Sequence, residues 1–211
     1  MGQLIDISVT LDEQLPVWPD SHGVHISLLM DMAAGEEANV SRLDIDVHSG
    51  THIDAPRHFL RDGAYTHEIP LEKTVGHCQV LDMRGKDRIT ADDLQHAALQ
   101  PGIEKILFKT DNSEKWRDPH HTFDPNFCAL TADAAQWVVD RGIHLTGIDY
   151  HSIQLFYDSM ETHRILLRAK VVILEGLNLL NVDPGTYKLL CLPLKVHGVE
   201  GISARAVLET L

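Results

Sequence analysis

Val75-Gly-His-Cys-Gln-Val-Leu-Asp-Met83, Ile103-Glu-Lys-Ile-Leu-Phe-Lys109 and Ile143-His-Leu-Thr-Gly-Ile-Asp149 are three strand-like runs separated by helix signals. Between the first two lies Thr90-Ala-Asp-Asp93, an N-cap residue followed by an acidic first turn. It predicts a helix to about Leu99, stopped by Pro101-Gly102. Between the second and third, Leu130-Thr-Ala-Asp133 opens another capped helix, running to Arg141 and ending at Gly142. Strand-helix-strand-helix-strand over residues 80–149 predicts an α/β chain with a parallel or mixed sheet and packed helices.

On the C-terminal side, Met160 to Lys170 reads as a helix and Val171 to Leu174 as an apolar strand running into Glu175. Tyr187 to Val196 and Ile202 to Leu208 read as closing strands. Asp111 to Asn126, polar and holding Pro119 and Pro125, reads as a loop long enough to be an active-site flap. On the N-terminal side, Leu4 to Leu11 alternates as a half-buried strand does, and Val24 to Met30 is a second strand. Asn39 to His48 alternates again, placing Asp44 and Asp46 toward solvent. Trp18, held between Pro16 and Pro19, is either a lid on the core edge or an aromatic wall for a planar substrate.

No repeat or linker divides the chain, and its 211 residues read as one domain over 1–211. Its net charge of −13, from 18 basic and 31 acidic residues, argues against nucleic acid and anionic membranes as partners. Neither a signal peptide nor a membrane-length apolar run is visible. Cys78, Cys128 and Cys191 lie too far apart for a zinc ribbon or a disulfide framework, which predicts buried thiols in a reducing cytoplasm.

Chemistry concentrates in Asp46-Val-His-Ser-Gly-Thr-His-Ile-Asp-Ala-Pro-Arg-His-Phe59, which sets His48, His52, Asp54 and His58 within eleven residues. Imidazole and carboxylate are ligands for zinc and for manganese-like cations. On an extended chain His52 and Asp54 lie roughly 6–7 Å apart on one face, whereas His48 lies about 13 Å away from His52. A bend at Ser49-Gly50 would bring His48 to the same cation, since glycine takes dihedrals that other residues avoid. His58 is either a fourth ligand or a free base. Glu175 ends a buried strand and must be paired, metal-bound or neutralised. Helix followed by strand returns the chain toward His163, so His163 and Glu175 are further candidate ligands. A salt bridge from Glu175 to Arg164 or Lys170 is the plain alternative.

The run His48-Ser-Gly-Thr-His52-Ile-Asp54-Ala-Pro-Arg-His58-Phe resembles the signature of the cyclase family, which includes bacterial kynurenine formamidase (arylformamidase) and isatin hydrolase. His163-Arg-Ile-Leu-Leu with Ile173-Leu-Glu175-Gly-Leu resembles a second signature. Pro16-Val-Trp18-Pro19, Asn126-Phe-Cys-Ala129, Gly147-Ile-Asp149 and Leu192-Pro-Leu-Lys195 follow the family's order. The resemblance implies a swivelling β/β/α fold and a homodimer or larger homo-oligomer. It implies one or two divalent metals, Zn²⁺ or Mn²⁺, with His48, His52 and Asp54 on one and Asp54 bridging to a second held by His163 and Glu175. His58 would be the catalytic base and acid. The implied reaction is hydrolysis of a C–N bond in a small amide: an aryl formamide such as N-formylkynurenine, or a cyclic amide. Trp18, Phe59, Tyr150 and His151 are the candidate substrate contacts, with Phe156 beside them. The sequence departs from the formamidases after Asp149, where Tyr150-His151-Ser152-Ile153 stands in place of Thr-Pro-Ser. Two alternatives stay open: a metal-assisted lyase or dehydratase, and a metal-stabilised binding protein without catalysis.

Overall fold

In the computed structural model, which describes residues 2–211, ten strands and three α-helices follow one another. The strands are β1 (Leu4–Asp6), β2 (Val24–Met30), β3 (Val40–Ile45), β4 (His52–Asp54), β5 (Val75–Asp82), β6 (Lys105–Lys109), β7 (Leu145–Ile148), β8 (Val172–Glu175), β9 (Gly185–Pro193) and β10 (Gly201–Thr210). The helices are α1 (Ala91–His96), α2 (Ala132–Asp140) and α3 (Glu161–Arg168).

The expected parallel core is present: β5–β6, β6–β7 and β7–β8 all pair in parallel. Antiparallel strands then close it. β4 pairs with β8 and β10, and β9 pairs with both β5 and β10. The result is a mixed, barrel-like sheet, with β1 hydrogen-bonded along the far half of β10. One apolar cluster, including Ile53, Val80, Leu107, Leu145, Leu174, Leu189 and Leu208, is contributed by seven of these strands. A second cluster forms where α1, α2 and α3 pack on the sheet, through Leu94, Ala134, Val138, Leu166, Leu167 and Ile173. Alternation on β8 divides its side chains between the two clusters, Val172 and Leu174 in the first and Ile173 in the second.

Local differences from the sequence reading have physical causes. β1 stops at Asp6, and Val9 donates to Thr51 Oγ1 at 2.9 Å, so the segment expected to run on as strand wraps around the Gly50 bend instead. α1 carries the expected Thr90 N-cap and closes it into a capping box, with Asp93 N donating to Thr90 Oγ1 and Thr90 N to Asp93 Oδ2. It ends at His96, three residues before Leu99. Thr131 does not cap α2 with its side chain; its hydroxyl donates to the Ile89 carbonyl at 2.9 Å. The expected flap is structured in its first half. Asp111–Arg117 is a 3₁₀ helix, pinned by Asn112, whose amide bonds both the N–H and the C=O of Cys128. β2 and β3 form a separate two-stranded sheet that leaves Ile26, Leu28, Leu29 and Leu43 exposed. The three cysteines are buried and free, and burial pushes each thiol up to about 12. Among the described residues no helix is long and apolar enough to cross a membrane.

Candidate metal centre

The bend that the ligand spacing requires is present. Gly50 has φ +64°, in the left-handed region, and residues 46–51 turn before β4 begins at His52. Leu11, Val9 and Leu15 pack against this bend, so that a side chain at residue 50 would meet Leu11 Cδ2 at 2.5 Å. Gly176, also left-handed at φ +67°, lets the chain leaving β8 pass against the Gly50 carbonyl. Two glycines thus allow the two ligand-bearing segments to touch.

Register does the rest. His52 lies opposite Glu175 and Asp54 opposite Ile173 across the β4–β8 pair. His52 and Glu175 therefore share a face, with Asp54 two residues along on the same face and Ile53 turned to the apolar cluster. His52 Nε2 lies 3.4 Å from Glu175 and 3.6 Å from Asp54. His163, in the first turn of α3, places Nε2 at 3.3 Å from Glu175 and 3.7 Å from Asp54. His48 reaches Asp54 with Nδ1 at 2.9 Å, and its ring is 4.1 Å from that of His58, centroid to centroid. Glu175 is not paired with Arg164 or Lys170; its Oε1 also accepts from Ile153 N at 2.7 Å.

Two groups have ligand atoms close enough to hold a cation: His48, Asp54 and His58; and His52, Asp54 and Glu175. Asp54 belongs to both. The grouping differs from the spacing-based expectation, because His58 falls among the possible ligands and His52 sits with Glu175. The donor set fits a divalent cation on three counts. It is all imidazole and carboxylate. Both Asp54 oxygens and His52 Nε2 are buried without an aligned hydrogen bond, a costly state unless something charged completes it. Finally, His52 Nδ1 donates to the Gly50 carbonyl at 2.9 Å, so Nε2 turns a lone pair toward two carboxylates. Acceptor facing acceptor is repulsive without a cation between them.

The charges reinforce one another. Burial alone would raise the Asp54 carboxyl, but His58, His48 and His52 outweigh it and hold it well below the usual range. Burial and Asp54 would raise Glu175, yet His163 and His52 bring it down. His48 goes the other way: burial, which lowers it, is overcome by Asp54, Glu175 and Glu200, and it rises to about 9. Burial pushes His58 below its ordinary value, and His48 and His163 push the same way against Asp54.

The cluster forms the floor of a cavity of about 480 Å³. Trp18, Phe59, Phe156 and Met160 supply its apolar wall. Trp18 stands 5.0 Å from Phe156 and 5.5 Å from Phe123, ring to ring. Its prolines display it toward the cavity, which favours the aromatic-wall reading. His151 also lines the cavity, and its Nε2 is buried without a partner. Burial first, then His121 and His52, lowers His151 to about 3, so it is neutral near pH 7. Tyr150 is a correction to the expected substrate contacts. It is fully buried and absent from the cavity wall, and its hydroxyl accepts from Asp124 N at 3.0 Å. Asp46 corrects another expectation: it lines the cavity and accepts from Ser21 Oγ and His22 N, whereas Asp44 is solvent-facing as expected.

Sequence reasoning missed two neighbours of the ligands. Glu200 lies 3.6 Å from His48 Nε2, and Gln154 Oε1 lies 3.2 Å from His163 Nδ1. Gln154 directly follows the Tyr150-His151-Ser152-Ile153 run that departs from the formamidases. Glu200 had no signal beyond preceding a strand.

Residues 5–154 match the family described as "Putative cyclase". Cyclase-like protein 1 of Arabidopsis thaliana is 36% identical over 216 residues, which cover 98% of this chain and 85% of the relative. A solved structure described as a predicted metal-dependent hydrolase from Bacillus stearothermophilus is 35% identical with a TM-score of 0.84, covering 99% of this chain and 98% of that one. Isatin hydrolase A from Labrenzia aggregata, at 22% identity, shares the fold with a TM-score of 0.85, covering 99% of this chain and 93% of that one. With the family match spanning most of the sequence and a relative above one-third identity along nearly all of it, the chain belongs to the "Putative cyclase" family.

Proposed function

We propose that the chain is a single-domain, metal-dependent amidohydrolase acting on the C–N bond of a small aryl amide. An aryl formamide such as N-formylkynurenine, or a cyclic amide, is the substrate class. The observation that carries the reading is the convergence of His48, His52, His163 and Glu175 on Asp54 beneath an aromatic-walled cavity. The kinship with a protein described as a metal-dependent hydrolase supports it. In this reading His48, His52, Asp54, His163 and Glu175 would hold one or two Zn²⁺ or Mn²⁺ ions. A divalent cation there supplies Lewis acidity and a water that ionises near neutral pH.

The chain's own residues do the remainder. His52 is oriented by the Gly50 carbonyl and His163 by Gln154. Trp18, Phe59 and Phe156 hold the aromatic ring. His58, neutral at pH 7, takes a proton from the attacking water and returns it to the leaving nitrogen. Cytoplasmic location and a homodimer or larger assembly complete the proposal, the exposed Ile26, Leu28, Leu29 and Leu43 supporting self-association.

The test is metal analysis of the purified chain with turnover of formanilide, N-formylkynurenine and isatin. His58→Ala is expected to keep its metal and lose activity by about 10²–10⁴-fold. Full activity in that variant, or in chelator-stripped protein, overturns the reading.

A further inference from the structure

We infer that the cavity accepts aryl amides whose net charge is zero or positive and discriminates against those of net negative charge. This deepens the hydrolase reading and rests on it. Three observations carry it.

The first is the composition of the wall. Among the described residues no lysine or arginine lines the cavity, while Asp20, Asp46 and Glu200 do, in addition to Glu175 on the floor. A carboxylate brought in with the ring and not balanced by an ammonium on the same molecule would shed water and gain no cationic side chain in return. Only the metal cluster could receive it, and that position is needed by the acyl group being cleaved.

The second is the state of the polar wall. His151 presents a buried Nε2 with no partner, so it faces the ligand space as a hydrogen-bonding group. It is neutral, since burial with His121 and His52 nearby opposes its protonation. It can bond an uncharged carbonyl or hydroxyl but cannot balance an anion. Asp46 lines the cavity and accepts from Ser21 Oγ and His22 N.

The third is what the wall offers a cation. Trp18 and Phe156 line the cavity beside the acidic rim, and an ammonium is attracted both by aromatic rings and by carboxylates. The net charge of −13 adds a field of the same sign at longer range.

The experiment uses the metal-loaded full chain and three ligands matched in shape: formanilide, para-formamidobenzoate and para-(aminomethyl)formanilide. Turnover is followed by release of the aniline, and binding by quenching of tryptophan fluorescence, since Trp18 stands in the wall. The carboxylate compound is expected to show about tenfold lower kcat/KM than formanilide, or less still, expressed in KM. The ammonium compound should equal or exceed formanilide. Raising the salt concentration should narrow the gap, because part of the repulsion is screened. Asp20→Asn should narrow it by about two- to threefold while preserving the backbone, because Asp20 has φ 66° and asparagine tolerates that region.

Equal or better use of the carboxylate compound overturns the inference, as does failure of all three to bind. Binding in the expected charge order without turnover would instead overturn the hydrolase reading and leave the charge preference standing.

Discussion

Asp54 shows how one residue sets the character of the centre. It has no exposed surface, yet neither oxygen has an aligned hydrogen bond, and three imidazoles hold it ionised. The ligand run was legible from sequence because strand alternation is strict, so His52 and Asp54 had to share a face. Glu200 was not legible, because its meeting with His48 depends on a strand pairing across some 150 residues, which leaves no local pattern. A neighbouring glycine makes a sharper test of His48. A Cβ at Gly201 would run into the His48 imidazole, and the backbone there is not left-handed. Gly201→Ala should therefore displace His48 without straining the strand. Metal affinity is expected to fall about 10–100-fold, as it does when a ligand loses its orientation. Chelator competition would measure this, with urea unfolding of the metal-free chain as control. Unchanged affinity would remove His48 from the ligand set.

At the scale of elements, the strand-helix alternation between residues 75 and 149 was readable because each helix carried a cap and a stop signal. The 3₁₀ helix Asp111–Arg117 was not, since its sequence is polar and no helical periodicity marks it. What orders it is tertiary. Asp149, at the end of β7, accepts from Thr110 N, Thr110 Oγ1, Ser113 N and Ser113 Oγ at 2.6–3.2 Å. Trp116 Nε1 donates to the Asp149 carbonyl at 3.0 Å. Even with these donors, burial outweighs them and raises the carboxyl from 3.8 to about 6. The folded state thus binds the Asp149 proton more tightly than the unfolded chain does. That contribution to stability is complete below about pH 3.8 and is lost as pH rises through about 6. It amounts to at most about 3 kcal/mol. Asp149→Asn carries no charge at any pH. Its unfolding free energy in urea, compared with the parent from pH 4 to pH 7, should lack this decline, even though its absolute stability is lower. Parallel pH profiles would show that Asp149 is not the group responsible.

The molecule as a whole is a sheet closed by strands remote in sequence. β9 joins β5 to β10, and β10 joins β4, which in turn meets β8. The parallel half followed from alternation, and so did the closing strands β9 and β10, but which strands they close onto could not, because β5 and β9, like β4 and β10, lie far apart and leave no turn signal between them. The ligands inherit this arrangement. His48, His52, Asp54 and His58 come from the N-terminal third, while His163 and Glu175 come from α3 and β8. A bound cation would cross-link segments over 100 residues apart and would bind the folded chain far better than the unfolded one. At a metal concentration 100 times the dissociation constant this linkage contributes about 2.7 kcal/mol. For a chain of this length that corresponds to a rise of about 5–10 °C in the melting midpoint. Chelation should lower the midpoint by that amount and still leave a cooperative transition, because both apolar clusters persist without metal. His52→Ala should melt at the same temperature with and without chelator. Calorimetry on the two proteins, each with and without EDTA, decides the matter: an EDTA effect that survives in His52→Ala would place the stabilising cation elsewhere on the chain.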